Sequence, residues 1–182
     1  MKPPANPSGR LPGTATQPEN IYIAIGKLDI LPGMSFLDIG CGSGALSKEA
    51  MKFTDNVYGI DIRPEAVEAS RALVPGGKFY LGDASEILRE RTELPGIDRC
   101  FIGGTRGIES FLPALLEKTK PGCTMVVNLA RIGAASRVVE LMKGHGIFQE
   151  LLQIQISRGY ELGGDTALRP MNPIFMVVAR CR

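Results

Sequence analysis

Short apolar runs recur along the chain, and most are followed by a turn signal or by a stretch with helical spacing. Most of these runs are apolar throughout, which is typical of strands in a sheet that is covered on both faces. One run alternates instead, with Gln153 standing between Leu152 and Ile154, which indicates a strand with unequal faces. The sequence therefore predicts strands at residues 35–39, 57–60, 78–81, 98–102, 122–128, 148–157 and 173–179.

Stretches with helical periodicity lie between most of the predicted strands. Pro64 suits the first turn of one such helix, and Gly144 is expected to stop another. Pro113 removes a backbone hydrogen bond from any helix that contains it, so a helix there must start at Pro113 or kink. Helices are predicted at residues 21–31, 45–53, 64–73 and 134–143, with a further helix around Pro113.

The alternation of strands and helices predicts a doubly wound α/β fold with a mostly parallel sheet. No helix separates the last two strands, so they are expected to pair as an antiparallel hairpin. Residues 1–13 hold four prolines and two glycines, which predicts a flexible arm before a single domain at residues 14–182. Ligands bind such sheets outside the carboxyl ends of the strands. The functional rim is therefore expected at residues 40–45, 61–62, 83–84, 103–107 and 128–131, and at a long loop over residues 158–172.

A glycine-rich turn after the first strand is the most specific local signal. The segment MSFLDIGCGSGALSKEAM at residues 34–51 places Gly40, Gly42 and Gly44 between a strand and a helix, where a ligand can approach the backbone closely. GCGSGA also fits a dinucleotide fingerprint. Asp38 favours S-adenosylmethionine over a nicotinamide cofactor, because a carboxylate there would repel a pyrophosphate but suits an amine. The segment resembles the first motif of class I methyltransferases, which use this cofactor.

Two further acids follow predicted strands in the order that such a cofactor requires. Asp61 lies about twenty residues after Gly40, where a carboxylate can bind a ribose hydroxyl pair. Asp83 follows the third strand and is expected to reach the exocyclic amine of adenine. Turn chemistry is the alternative interpretation of both acids, since Asp is common where strands end. Cys41 is interpreted as a small apolar filler of the turn rather than a nucleophile.

Arginines dominate the rest of the predicted rim. Four guanidinium groups in a nearly neutral protein indicate an anionic substrate, because arginine binds carboxylate or phosphate through paired hydrogen bonds. Solvated surface charge is the alternative for each one. His145, at a predicted helix C-terminus, is interpreted as a weak cap. The four rim arginines are Arg106, Arg131, Arg158 and Arg169.

No Ser/His/Asp set or histidine base lies on the predicted rim. Methyl transfer to carbon needs neither when the two reacting centres are held in line.

Composition narrows the classes of function. The chain has 182 residues, 44% of them hydrophobic, and 21 basic residues against 19 acidic ones, a balance without the footprint of a nucleic-acid binder. The four cysteines form no CxxC pair and there is one histidine, so no metal site is predicted and reduced, cytoplasmic thiols are expected. No signal-peptide pattern is visible, and residues 21–31 are too short to span a bilayer, so no membrane association is expected.

The second half of the chain carries a more specific resemblance. FIGGTRGIES at residues 101–110, LLQIQISRGYELGGDT at 151–166 and NPIFMV at 172–177 resemble the decarboxylating cobalt-precorrin-6B methyltransferases of cobalamin biosynthesis. PGTATQPE at residues 12–19 is similar to the threonine-containing segment before that family's first helix. The resemblance covers most of the chain from Pro12 onward, and it implies the Rossmann-like class I methyltransferase fold.

The resemblance implies a reaction, an assembly and a set of site residues. It implies methylation of a corrin precursor, with or without cobalt, at carbon 15 with decarboxylation of the carbon 12 acetate, by a homotetramer. The substrate is a polycarboxylate tetrapyrrole, in agreement with the arginine-rich rim. Together with the rim analysis, it assigns S-adenosylmethionine to Thr16, Asp38, Gly40, Cys41, Gly42, Gly44, Asp61, Ile62, Asp83, Ala84 and Gly103. The tetrapyrrole is assigned to Gly104, Thr105, Arg106, Asn128, Arg131, Arg158, Thr166, Arg169 and Asn172.

Two departures and two alternatives accompany this hypothesis. Arg106 stands where that family is expected to carry a small residue, and the stretch between Asp61 and Asp83 is shorter than expected. A class I methyltransferase acting on tRNA is one alternative, but it calls for a basic accessory domain that this chain is too short and too neutral to hold. A non-catalytic partner with the same fold is the other, and the intact glycines and acids argue against it.

Overall fold

A seven-stranded sheet forms the centre of the computed structural model, which describes residues 17–182. The predicted arm at residues 1–13, the predicted start of the domain at residue 14 and the candidate Thr16 lie outside the described residues. The helices are α1 (Pro18–Leu28), α2 (Ala45–Ala50), α3 (Pro64–Leu73), α4 (Ala84–Glu90), α5 (Ile108–Lys118) and α6 (Ile132–Gly144). The strands are β1 (Phe36–Ile39), β2 (Val57–Asp61), β3 (Lys78–Leu81), β4 (Ile97–Ile102), β5 (Thr119–Leu129), β6 (Phe148–Ile154), β7 (Ser157–Leu162), β8 (Asp165–Pro170) and β9 (Ile174–Arg180).

The strand order is β3-β2-β1-β4-β5-β9-β6. Strands β1 to β5 pair in parallel, whereas β9 is inserted between β5 and β6 and runs antiparallel to both. The predicted doubly wound, mostly parallel fold and the antiparallel last strand are therefore confirmed. The carboxyl ends of β1 to β6 all meet at one rim, because β6 runs parallel to β5.

The strands are apolar throughout because the sheet is covered on both faces. Alternate residues of each strand enter different clusters: Phe36 packs with α1, α2 and α3 side chains, and Leu37 packs with those of α4, α5 and α6. The register Asp38↔Phe101 and Phe101↔Val126 places Asp38 on the Phe36 face, and Asn128 lies two residues beyond Val126 on that same face. Two polar residues of the predicted site therefore share one face of the sheet.

Three helices, α4, α5 and α6, differ from the predictions. α4 was not predicted, and Asp83 caps it by accepting a hydrogen bond from the Ser85 backbone. α5 begins at Ile108 and contains Pro113 in its interior, which excludes the first of the two predicted alternatives, a helix that starts at Pro113. α6 ends at Gly144, but the glycine whose left-handed backbone closes the helix is Gly146. The backbone amides of Gly146 and Ile147 donate hydrogen bonds to carbonyls of the last helical turn, at 2.9 and 3.0 Å.

The predicted loop at residues 158–172 is wrong, because this stretch forms a second, two-stranded sheet. β7 and β8 pair antiparallel from Ser157↔Pro170 to Leu162↔Asp165, and Gly163-Gly164 makes the two-residue turn. Both glycines have positive φ, +61° and +86°, as a tight hairpin turn of this twist requires. The hairpin leaves the sheet at the end of β6 and returns at the start of β9, so it projects from the ligand rim.

Among residues 17–182, no helix is long and apolar enough to cross a membrane. Over the same residues, no group of three or more His, Cys, Asp or Glu side chains is arranged to hold a metal ion.

Candidate active site

The glycine turn after β1 is fixed between two neighbouring strand ends. The Gly40 amide donates to the Ile60 carbonyl of β2 at 2.7 Å, and the amide of Gly103, just after β4, donates to the Ile39 carbonyl at 2.8 Å. Gly40 has φ +75°, and a Cβ on it would lie 2.7 Å from the Gly104 backbone nitrogen. The turn assigned to the cofactor and the turn assigned to the substrate therefore touch, backbone against backbone.

Asp38 is a buried carboxyl group with one unoccupied acceptor. Its Oδ2 accepts a hydrogen bond from the Ser47 hydroxyl at 2.6 Å, whereas its Oδ1 is buried without a partner among the described residues. Burial raises the pKa of Asp38 to about 7, and the nearby Asp61 charge acts in the same direction. A cationic group placed against Oδ1 would satisfy the acceptor and restore the ionised form.

Asp61 has the opposite surroundings. Its Oδ1 accepts from the backbone N–H and Nε of Arg63, both at 3.0 Å, and its Oδ2 accepts from the Gly42 amide at 2.9 Å and from Nη2 of Arg63 at 3.0 Å. Burial alone would raise the pKa of Asp61, but the hydrogen bonds from Arg63 and Gly42 outweigh it and hold the pKa below its usual value. Arg63 therefore occupies acceptor positions that the predicted ribose hydroxyls would also use.

The remaining cofactor candidates lie along the same rim. Asp83 is exposed and uses Oδ1 for Ser85, with 2.8 Å to the amide and 2.6 Å to the hydroxyl, so the turn chemistry considered from sequence accounts for one of its oxygens. Ile62 is 67% exposed and offers apolar surface beside Asp61. Cys41 is buried, which raises the pKa of its thiol to about 12, as suits a filler rather than a nucleophile.

On the substrate side, Asn128 has no partner for its amide. Its Nδ2 and Oδ1 are both buried and make no hydrogen bond with the described residues. Asn20 of α1 is 2% exposed and its Oδ1 is unpartnered too; α1 packs against β5 and β9 on the face that carries Asp38 and Asn128. Within residues 17–182, the buried side-chain atoms without partners belong to these three residues, all on one sheet face. Such atoms call for an explanation, and a bound ligand provides one.

The cations of the rim fall into two groups. Arg106 and Arg131 are exposed and make no hydrogen bond or ion pair with the part of the chain that the structure describes. Arg158 is engaged: it pairs with Glu19 of α1 at 2.6 Å and also donates to Gln17. The Arg169 guanidinium lies 4.7 Å from the centre of the Tyr160 ring.

The hairpin separates two residues that were predicted to face one substrate. Arg158 pairs across the strands with Arg169, and Thr166 pairs with Glu161. Because successive strand residues point to opposite faces, Thr166 lies on the face away from Arg158. Asn172 is exposed between β8 and β9. The glycine turns, Asp38 and Asn128 are thus brought together, while Arg158 and Thr166 are set apart.

Sequence reasoning missed four polar residues that contribute to this arrangement. Ser47 and Asn20 are polar residues on the buried sides of amphipathic helices, which is the signal that could have found them. Arg63 stands two residues after a strand-end acid and beside a helix start, where an ion pair is a natural expectation. Glu19 gives no signal, because its partner Arg158 is 139 residues away in the chain.

The matching family model and the curated relatives agree on one family. Residues 12–180 match the family model described as a precorrin methyltransferase domain. The chain is 37% identical over 175 residues to a probable cobalt-precorrin-6B C(15)-methyltransferase (decarboxylating) of Methanosarcina acetivorans, covering 92% of this chain and 94% of that one. It is 35% identical over 167 residues to a protein of that name from Archaeoglobus fulgidus, with 91% and 96% covered.

Solved structures are similar over nearly the whole chain. A precorrin 8W decarboxylase of Methanobacterium thermoautotrophicum superposes with a TM-score of 0.85 at 25% identity, covering 96% of this chain and 94% of that one. A precorrin-6y C5,15-methyltransferase of Geobacter metallireducens superposes with a TM-score of 0.84 at 23% identity, covering 94% and 93%, and this likeness concerns the fold alone.

Proposed function

The chain belongs to the precorrin methyltransferase family, and we propose that it methylates carbon 15 of cobalt-precorrin-6B or precorrin-6B and removes the carbon 12 acetate carboxyl as carbon dioxide. This reaction belongs to cobalamin biosynthesis. The observation that carries the proposal is the set of unpartnered buried atoms of Asn20, Asp38 and Asn128, which share one sheet face where the two glycine turns touch. A site that is polar, buried and unsatisfied on both sides of that contact suits two ligands held against each other.

S-adenosylmethionine fits the first side of this contact and would supply an electrophilic methyl group on its sulfonium. In the proposal, Asp38 accepts the amine and Asp61 accepts the ribose hydroxyls once Arg63 has moved. The second oxygen of Asp83 accepts the adenine amine, and Ile62 covers the ring. The backbones of Cys41, Gly42, Gly44, Ala84 and Gly103 line the remaining surface, and Thr16, outside the described residues, is assigned to this site by resemblance.

The polycarboxylate tetrapyrrole occupies the second side. Arg106 and Arg131 are exposed cations without partners among the described residues, so acidic side chains of the macrocycle can pair with them at no cost in broken contacts. At the centre of this proposed surface, the Asn128 amide donates one hydrogen bond to the substrate and accepts one from it. Gly104, Thr105, Asn172 and the hairpin residues Arg158 and Arg169 complete the proposed surface, whereas Thr166 lies on the opposite face of the hairpin and is left out of it.

The protein's part in the chemistry is orientation rather than proton transfer. Methyl transfer forms one carbon–carbon bond and breaks one carbon–sulfur bond, and it is accelerated by holding the two centres in line and excluding water. In the decarboxylation, the acetate carboxylate leaves as carbon dioxide, the electron pair of the broken bond stays on the macrocycle side, and one proton is taken up there. The Gly40–Gly104 contact and the Asn128 amide hold both ligands for these steps.

We also propose that the chain acts as a homotetramer in the cytoplasm. The β7–β8 hairpin supports the assembly, since it projects from the rim with Tyr160, Leu162 and Leu168 exposed at 36%, 61% and 68%. Light scattering on the purified chain tests it: Leu162→Glu should reduce the mass to that of a smaller species. The matched control is Leu31→Glu, at an exposed leucine away from the hairpin; loss of assembly in both variants would remove the hairpin from the proposal.

The reaction is tested by mass spectrometry of precorrin-6B, with and without cobalt, after incubation with the protein and S-adenosylmethionine. The expected product has gained one methyl group and lost one carbon dioxide, and the preferred form identifies the substrate. A thermal shift with S-adenosylmethionine together with an unchanged substrate would support the cofactor assignment and contradict the substrate assignment.

A further inference from the structure

Two cysteines meet at the edge of the sheet opposite to the glycine turns. At the start of β5, Gly122 adopts φ +79° and its amide donates to the Cys181 carbonyl at 3.1 Å, while the Cys181 amide donates to the Cys123 carbonyl at 2.9 Å. This is the bond pattern of a β-bulge that begins with a left-handed glycine. The bulge places Cys123 directly opposite Cys181, just beyond the last ladder pair Thr124↔Arg180.

The pairing brings the two sulfurs within reach of each other. Opposite residues of antiparallel strands have Cα atoms roughly 4.5–5.5 Å apart, and disulfides span about 4.4–6.8 Å between Cα atoms. Both thiols are free. Cys123 is 1% exposed, whereas Cys181 is only partly buried, so Cys181 is the more accessible residue of the two.

Cys181 also opens onto a pocket with a basic lining. The pocket has a volume of about 310 Å³ and is lined in part by Thr119, Lys120, His145, Ile147, Cys181 and Arg182. The Thr119 hydroxyl donates to the Leu116 carbonyl at 2.8 Å and lies 3.4 Å from the Cys181 sulfur, and Lys120 also pairs with Asp98. The basic residues Lys120 and Arg182 of this lining would attract anionic reagents.

Electrostatics assign different roles to the two sulfurs. The neighbouring Cys123 side chain lowers the pKa of Cys181 to about 6, against the effect of the partial burial of Cys181. The proximity of Cys181, together with burial, raises the pKa of Cys123. Cys181 is therefore the more accessible and the more readily ionised of the two thiols, and the buried Cys123 is the thiol that keeps its proton more readily.

We propose that Cys181 and Cys123 form a reactive dithiol that takes small anionic disulfides of the glutathione class into this pocket. The Cys181 thiolate attacks one sulfur of the reagent, breaks its disulfide bond and releases one thiolate. Cys123 then gives up its proton to solvent and attacks the Cys181 sulfur, which releases the second thiolate and leaves a Cys123–Cys181 disulfide. The disulfide reagent is reduced by the two electrons that the dithiol loses. This inference does not depend on the proposed methyltransferase function.

The other cysteines provide internal controls for this reaction. Cys41 and Cys100 are buried, and burial raises the pKa of both thiols. In the folded chain they should react slowly with the same reagent. The new disulfide closes the chain between β5 and β9, which restricts the unfolded state, so it should raise the melting temperature and reverse on reduction.

The test is a time course of the full chain with glutathione disulfide, quenched by acid and read by intact mass and peptide mapping. In the wild type, a transient glutathionyl adduct on Cys181 should give way to the Cys123–Cys181 cross-link. Cys123→Ala should stop at the adduct, Cys181→Ala should form neither, and Cys100→Ala, the matched control, should behave as the wild type. The wild-type adduct should form at least about tenfold faster than any adduct on Cys41 or Cys100.

Two results would overturn the inference. Equal labelling of Cys181, Cys41 and Cys100 in the folded wild type would show that the pocket confers no reactivity. A lasting adduct on wild-type Cys181, without a cross-link, would remove Cys123 from the reaction. Both readings come from the wild type, so they hold even where a variant fails to fold.

Discussion

The two halves of the ligand rim differ in whether their polar side chains already have hydrogen-bond partners. At the ends of β2 and β3, Asp61 and Asp83 are already hydrogen-bonded by their own neighbours. At the ends of β4 and β5, Arg106, Arg131 and Asn128 have no such partners within residues 17–182. Asp38 is the exception in the cofactor half, with one oxygen bonded and one not.

This difference decides what ligand binding must overcome. In the proposed site, a cofactor at Asp61 would compete with an existing ion pair, so part of its binding free energy would replace contacts that the free protein already has. A substrate at Asn128 relieves an unsatisfied buried amide, so its contacts add to those of the free protein. Changes in the two halves should therefore separate stability, cofactor affinity and turnover, and the largest effect is expected where the halves touch.

Gly40→Ala should break the contact between the halves. The new Cβ would lie 2.7 Å from the Gly104 nitrogen and 3.0 Å from its Cα, and both are backbone atoms that cannot turn away. We expect destabilisation by about 2–4 kcal/mol and loss of S-adenosylmethionine affinity by roughly 100-fold or more. Thermal denaturation and isothermal titration calorimetry measure the two effects.

Gly33→Ala is the matched control for this substitution. Gly33 has φ +83°, close to that of Gly40, but a Cβ there has nothing within 4 Å. It should cost only the backbone strain, about 1–2 kcal/mol, and leave cofactor affinity unchanged. Equal effects of both substitutions on affinity would mean that close approach is not what matters at Gly40.

Asn128→Leu should separate stability from turnover in the substrate half. Leucine has a similar shape and removes two buried polar atoms without partners, so the free protein should become more stable by about 1 kcal/mol, a rise of roughly 2–4 °C in melting temperature. Turnover should fall by about tenfold or more, with cofactor affinity unchanged. Lower stability together with unchanged turnover would show that the amide is satisfied and has no role.

Asp38→Asn should remove a pH dependence from cofactor binding. The pKa of Asp38 is raised by burial from 3.8 to about 7, so its contribution to stability is present below pH 4 and is lost as the pH rises through 7. A cationic amine pairs with the ionised form, so wild-type affinity should increase by about tenfold or more between pH 5 and pH 7. The variant should bind weakly with a flat profile, and a steep profile in the variant would assign the titration to another group.

Arg63→Gln should have the smallest effect and the opposite sign. The Arg63 side chain is 36% exposed, so its pair with Asp61 contributes little to stability, and its removal should strengthen cofactor binding by roughly two- to fivefold. Arg137→Gln, at an exposed arginine of α6, is the control and should change nothing. Weaker binding in Arg63→Gln would show that Arg63 positions Asp61 rather than competing for it.

Local sequence rules predicted the parts of the fold that depend on neighbouring residues. The apolar runs gave the seven strands of the main sheet, the order of Gly40, Asp61 and Asp83 placed them at successive strand ends, and Pro64 marked the start of α3. Each depends on side-chain period or backbone sterics within a few residues. Gly163-Gly164 held a comparable signal, a glycine pair between two short runs, and it was interpreted as part of a loop.

Only the tertiary structure decided which polar groups are satisfied. Arg63 covers Asp61, Arg158 reaches Glu19 across most of the chain, and Thr166 turns away from Arg158 because of the hairpin register. Cys123 and Cys181 are opposite each other because a bulge aligns two strands that are far apart in sequence. The sequence alone determined which residue types stand at the rim. Their hydrogen-bond partners depend on distances between chain segments, which residue order does not contain.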